Sequence, residues 1–262
     1  MEKWNKLSLE EIEKAKTVEE VREAYREADC YSETQRKALE KWNKLSLEEI
    51  EKAKTVEEVR EAYRKAPNNS ETQKKALEKW NKLSLEEIEK AKTVEEVIEA
   101  YHKAPYGESR RKALEKWIEL CQSIEEVREV YREADCYSET QKKALEKWIE
   151  LSLEEVEKAK TVEEVREVYR KTPKDGEAER KAFEKWIELC QSIEEVREVY
   201  YKILYKDNES RIKALEKWDK LSLEEVEKAK TVEEVIETYR KAPNGSEARR
   251  KAIVKLVGLW PE

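Results

Sequence analysis

Apolar side chains recur along this chain three and four residues apart, the spacing that lines one face of a helix. In SETQKKALEKWNKL, residues 70–83, Ala76, Leu77, Trp80 and Leu83 share a face. Ser70 followed by Gln73 fits a capping box, in which hydroxyl and amide satisfy free backbone N–H groups. A second helix is predicted over TVEEVIEAYHKA, with Thr93 and Glu96 as its capping box and Val94, Val97, Ala100 and Tyr101 as its apolar stripe. Acids open that helix and Lys103 lies near its end, as the macrodipole prefers, before Pro105 blocks further helix. Between the two lies SLEEIEKAK, where Ser84 and Glu87 form a third cap signature and Leu85, Ile88 and Ala91 fall on one side. This segment reads as a separate two-turn helix in preference to a continuation of the first.

The whole pattern repeats. A marker Trp stands at 4, 42, 80, 117, 148, 186 and 218, with Leu256 in its place at the end, at spacings of 38, 38, 37, 31, 38, 32 and 38. A Tyr answers each at 25, 63, 101, 131, 169, 200 and 239, 21 residues on in long units and 14 in short ones. The two short units, after Trp117 and Trp186, lack seven residues of the SLEEIEKAK segment. Seven residues are almost two turns, so their loss rotates the next stretch of helix by only about 20° and the apolar face survives. One helix pair cannot bury a Trp and a Tyr of roughly 150–250 Å² each, whereas stacked neighbours can. The expected fold is therefore all-α: a right- or left-handed α-solenoid (superhelix) of seven units, 31–38 residues each, with two or three helices per unit, in a single domain over residues 1–262.

Composition agrees. Charged residues make up 45%, with 55 Lys and Arg against 62 Asp and Glu, a net charge of −7, and only 4 Gly and 5 Pro. Trp and Tyr at fixed places argue against disorder in so polar a chain. No apolar run approaches the ~18 residues of a membrane span, MEKWNKLSLEE has no secretory apolar core, and the mild acidity gives no reason to expect nucleic acid. With these absences and unpaired cysteines, a cytoplasmic location is expected.

The array resembles, in kind, tetratricopeptide, half-a-tetratricopeptide and HEAT repeats; a Trp on the first helix and a Tyr on the last echo the half-a-tetratricopeptide pattern. A 34-residue period and the Gly and Pro signature of tetratricopeptide units are missing. The resemblance implies protein or peptide binding without catalysis, and it carries no family site residues onto this chain. Repeats so alike also raise engineered origin, against which stand the unequal lengths, four Cys and the irregular YYKILYKDNESR at residues 200–211.

Little here points to chemistry. His102 is the sole histidine, at a position held by Arg or Tyr in the other units, and reads as a solvated side chain. No second His exists for a His-based zinc site. Cys30 and Cys136 are equivalents three units apart, and Cys121 and Cys190 two apart, so solenoid geometry holds them beyond disulfide reach, as free thiols in a reducing compartment. Glutamate pairs open every helix and read as caps and solvated faces. No cofactor and no enzyme activity are expected.

Two columns vary together. After the marker Trp come Asn5, Asn43, Asn81, Ile118, Ile149, Ile187 and Asp219; before the marker Tyr come Ala24, Ala62, Ala100, Val130, Val168, Val199 and Thr238. Either the core is locally adjusted around the short units, or Ile118, Ile149, Ile187, Val130, Val168 and Val199 line an apolar groove for a partner helix or extended peptide. At the end of the chain, a helix over about 246–260 is unusually apolar, with Ile253, Val254, Leu256, Val257, Leu259 and Trp260. It serves as a folded-back lid or as an interface for head-to-tail self-association, and Ile253, Leu256, Leu259 and Trp260 are its candidate contacts. The leading expectation is a non-enzymatic scaffold binding a protein or peptide; the alternative is a purely structural, self-assembling or engineered array. Reading of one RNA base per unit ranks last, because the variable columns turn apolar.

Overall fold

Each repeat contains two helices. The computed structural model describes residues 9–174, 176–203 and 207–259, and no strand occurs among them. Helical residues 9–14 (α1) are followed by α2 (Val18–Glu27), α3 (Glu33–Lys52), α4 (Val56–Lys65), α5 (Glu71–Lys90), α6 (Val94–Lys103), α7 (Glu108–Leu120), α8 (Ile124–Glu133), α9 (Glu139–Lys158), α10 (Val162–Lys171), α11 (Glu177–Leu189), α12 (Ile193–Ile203), α13 (Asn208–Lys228), α14 (Val232–Lys241) and α15 (Glu247–Leu259). Odd-numbered helices from α3 to α13 carry the marker Trp, and even-numbered ones carry the Tyr.

The segment read as a separate helix is instead the second half of a 20-residue helix in α3, α5 and α9. Ser84 caps nothing. It lies inside α5, buried, and its hydroxyl has no hydrogen-bond partner; Ser46, Ser152 and Ser222 repeat that arrangement in α3, α9 and α13. A cap signature starts a helix only where the chain leaves helical geometry, and neither Gly nor Pro interrupts Leu83–Leu85. The apolar face runs straight through to Ile88.

The remaining punctuation agrees with the sequence. Thr17, Thr55, Ser123, Thr161 and Thr231 head the Tyr helices with complete capping boxes. Thr93 accepts from the Glu96 N–H, while the Glu96 carboxylate takes the Lys92 N–H at 2.6 Å. Ser70 accepts from the Gln73 N–H, but Gln73 reaches back to Asn69 N–H. The residue before the capping serine is left-handed, with φ of 63° at Tyr31, 55° at Asn69 and 62° at Tyr137. Glycine takes that place at Gly245, φ 73°.

Contacts divide the chain into two compact parts, residues 1–121 and 122–262. In the first, α2 packs on α3, α4 on α3 and α5, α6 on α5 and α7, and the Trp helices α3, α5 and α7 pack in succession. In the second, α8 packs on α9, α10 on α9 and α11, α12 on α11 and α13, and α14 on α13 and α15, with α9, α11, α13 and α15 in succession. Each of α4, α6, α10, α12 and α14 thus packs on the odd-numbered helices on either side of it. Burial of its Val side chains, about 1.5–3 kcal/mol each, holds it there. Val59, Val97, Val165, Val196 and Val235 are all fully buried.

Candidate functional site

The aromatic rings join neighbouring repeats. Tyr25 meets Trp42 at 5.5 Å between ring centroids, Tyr63 meets Trp80 at 5.6 Å, and Tyr101 meets Trp117 at 6.2 Å. In residues 122–262, Tyr131 meets Trp148 at 5.6 Å, Tyr169 meets Trp186 at 5.9 Å, and Tyr200 meets Trp218 at 5.5 Å. In every case the phenol belongs to one repeat and the indole to the next. Tilted or edge-on rings at this distance add about 0.5–1.5 kcal/mol to area burial.

The other side of the indole reaches its own repeat. Trp42 Nε1 donates to the Lys65 carbonyl at 2.8 Å, Trp80 to Lys103 at 3.0 Å, Trp148 to Lys171 at 2.8 Å and Trp218 to Lys241 at 3.0 Å. Those acceptors are the last residues of α4, α6, α10 and α14, where carbonyls have no intrahelical partner. The same lysines reach to the first turn of the preceding Tyr helix: Lys65 to Glu19 at 2.7 Å, Lys103 to Glu57 at 2.8 Å, Lys171 to Glu125 at 2.7 Å and Lys241 to Glu194 at 3.1 Å. Hydrogen bonds from these lysines hold the Glu19, Glu57 and Glu125 carboxyls below the usual carboxylate range.

Trp helices are tied to one another by a second set of contacts that the sequence did not announce. Lys79 donates to the Ile50 and Glu51 carbonyls at the end of α3, Lys116 to Glu89 at the end of α5, Lys217 to Glu188 at the end of α11, and Lys255 to Val226 and Glu227 at the end of α13. Each of these Trp helix ends is thus capped by a lysine from the next. At the opposite end, Asn43 accepts from the Thr72 hydroxyl at 2.8 Å and Asn81 from Ser109 at 2.6 Å. Asp219 accepts the Glu247 and Ala248 N–H groups at the start of α15. Asn43, Asn81 and Asp219 in the column after Trp therefore latch the start of the following odd-numbered helix, while Asn5 lies outside the described residues.

The apolar members of the column do not form an open groove. Ile118, Ile187, Val130, Val168 and Val199 are buried, and Ile149 is half-buried. Ile187 and Val199 share one core cluster with Trp186, Val196 and Ile203. The coupled change from Asn/Ala to Ile/Val fills interior space, so five of these six residues offer a partner no surface, and Ile149 offers only a part of one. The covarying columns read correctly as neighbours at Ile187 and Val199, but their common side is inside.

The expected end residues fare differently. α15 packs on α13 and α14 as α13 packs on α11 and α12, with Leu256 against Val226, Ala229, Val235 and Ala252. It is a further Trp-type helix in sequence, not a folded-back lid. Ile253 is 49% exposed, Val254 72% and Val257 74%, and Leu259 is exposed beside them. Trp260 lies outside the described residues. Beside Val254 opens a cleft of about 740 Å³ lined by Val226, Glu227, Glu247, Arg250, Lys251 and Lys255.

The four cysteines form no disulfide; Cys30 and Cys136 are exposed, Cys121 and Cys190 buried. Desolvation pushes the Cys190 thiol up to about 12, so it is inert at neutral pH. His102 is exposed. Among the described residues, no cluster of His, Cys, Asp or Glu is arranged to hold a metal, and no helix is long and apolar enough to cross a membrane.

Comparison with known proteins gives a consistent picture of the repeats. The GA-like domain family matches residues 5–26, 43–62, 80–100, 149–172 and 218–239. Those five segments, together under half the chain, are the five long repeats from Trp to Tyr; the short repeats are skipped. The chain is a helical-repeat array that is similar to GA-like domains along those segments. No curated protein matches it. Among solved structures, one described as "Computational Design of Self-Assembling Cyclic Protein Homooligomers" is 16% identical, with 98% of this chain and 94% of that chain covered at a TM-score of 0.15. A TM-score so low transfers no arrangement of helices from one to the other.

Proposed function

We propose that this protein is a structural helical-repeat array without catalytic activity, and that it associates with copies of itself. The observation that supports this reading is the outer face of α15, where Ile253, Val254 and Val257 stand exposed together while the apolar columns of the other repeats are covered. A scaffold reading with a peptide in an inner groove loses support because five of the six groove residues are interior. The exposed, unpaired Cys30 and Cys136 fit a reducing compartment, in keeping with a cytoplasmic protein. The test is molar mass by light scattering over a concentration series. Mass rising with concentration is expected; a monomer throughout, into the millimolar range, overturns the proposal.

A further inference from the structure

We infer that α15 pairs with α15 of a second copy, antiparallel and about a two-fold axis, with Val254 at the crossing point. This rests on the self-association proposed above and names its geometry.

The internal repeats supply the comparison. Two residues before the marker, the other seven units carry Glu2, Glu40, Glu78, Glu115, Glu146, Glu184 and Glu216, and α15 carries Val254. Two residues after the marker they carry Lys6, Lys44, Lys82, Glu119, Glu150, Glu188 and Lys220, and α15 carries Gly258. These positions are one helical turn apart on the same face. Folding of the repeat does not require the change, since the charged residue serves elsewhere, and a Cβ on Gly258 would meet nothing within 4 Å. A glycine inside a helix costs about 1 kcal/mol relative to alanine. A flat apolar strip with a glycine in it lets a second helix approach closely.

Charge selects the occupant. The long Trp helices α3, α5, α9 and α13 each end with a lysine in the last turn, and α3, α5, α11 and α13 also receive one from the next Trp helix. The last turn of α15 has no basic residue, and among the described residues none is donated to it. Its own exposed cations, Arg250 and Lys251, lie two turns earlier, roughly 12 Å along the axis. A second α15 laid antiparallel with Val254 on Val254 sets Arg250 opposite Gly258 and Lys251 opposite Val257. The cations then face the carbonyls of the partner's last turn, where the helix dipole favours them. A parallel pair would set Arg250 and Lys251 beside their own copies. Among the described residues the end near α1 and α2 offers no counterpart, because no large apolar side chain is exposed in residues 9–27. An isologous patch closes on itself, so growth stops at two. One 13-residue helix covers less than the ~800 Å² per partner of a stable interface, so the dimer is weak.

Sedimentation equilibrium over a concentration series tests this on the full chain, on Val254→Glu and on Gly258→Lys, each restoring the residue type of the other repeats. Ile212→Arg, on the exposed face of α13, is the control. The expected result is a monomer–dimer equilibrium with no larger species. Both α15 variants should weaken it at least tenfold with unchanged helical circular dichroism, and the control should leave it alone. Species growing past the dimer, a dimer indifferent to both α15 variants, or one abolished by Ile212→Arg overturns the pairing but leaves self-association standing. A monomer throughout overturns both.

Discussion

Trp148 and Trp186 hold the same place in successive repeats, one long and one short, yet their indoles meet different surroundings. Trp148 is half-buried and donates to the Lys171 carbonyl at 2.8 Å. Trp186 is only 2% exposed, and its Nε1 has no hydrogen-bond partner. The cause is helix length. From Trp148 to the end of α9 is ten residues, and α10 is ten residues long, so its last turn returns level with the indole and presents a free carbonyl. From Trp186 to the end of α11 is three residues, so α12 runs past it by two turns. The indole then faces the middle of α12, where carbonyls are already bonded within the helix, and packs with Val196 and Val199 instead. The seven-residue excision preserves the rotation of the apolar face but slides the next helix by roughly 10 Å. A hydrogen bond is exchanged for burial. An unpartnered buried N–H costs about 1–3 kcal/mol, which the deeper packing of the ring offsets. Trp117, in the other short repeat, shows the same pairing of full burial with an unpartnered N–H.

The sharpest way to break this contrast is truncation. Trp186→Ala should lower unfolding stability by about 3–5 kcal/mol in urea denaturation, more than Trp148→Ala, because it empties a fully enclosed site. Equal costs would show that burial does not distinguish the two. A gain is expected in the long repeats alone: Ser152→Ala removes an unpartnered buried hydroxyl inside α9 and should stabilise by about 1 kcal/mol. The short repeats carry Cys121 and Cys190 four residues after Trp, and Cys190 Sγ already donates to the Trp186 carbonyl at 3.1 Å, so Cys190→Ala should bring no such gain. Smaller still is the acid response of the long repeats. Because Lys171 lowers the Glu125 pKa, the pair stabilises the fold above the ordinary Glu value of 4.5 and loses that contribution as pH falls through the folded value. Lys171→Met should flatten the drop in urea midpoint between neutral and acid pH by less than about 1 kcal/mol, given the exposure of the pair. An unchanged acid profile would remove the bridge from the account of the long repeats.

Much of this was legible in the sequence. The periodicity of Ala76, Leu77, Trp80 and Leu83, the Thr caps and the Pro stops locate the helices, and the fixed Trp and Tyr positions imply rings meeting between repeats. Ser84 misled because a Ser-x-x-Glu signature is local; it does not reveal whether the chain leaves the helix before it. The column after Trp was seen to vary, but its meaning depends on the third dimension. Asn43 latches Thr72 on the next Trp helix, and Ile187 fills space against Val199, and nothing in one repeat's letters separates an inward side chain from a groove. The lysine caps were hidden for a similar reason. Lys79 stands in a run of charges, and only the stacking of α5 on α3 brings it to the Ile50 carbonyl. The α15 face was visible as an apolar excess, while its distinction from a lid needed the packing of Leu256.

The seating of one repeat's phenol on the next repeat's indole is tested most directly by a double-mutant cycle. Tyr131 and Trp148, 5.6 Å apart, are each replaced by Leu and then both together, with stability measured by urea denaturation. A coupling energy of about 0.5–1.5 kcal/mol is expected. Additive losses, with no coupling beyond about 0.3 kcal/mol, would contradict the ring ladder as the joint between repeats.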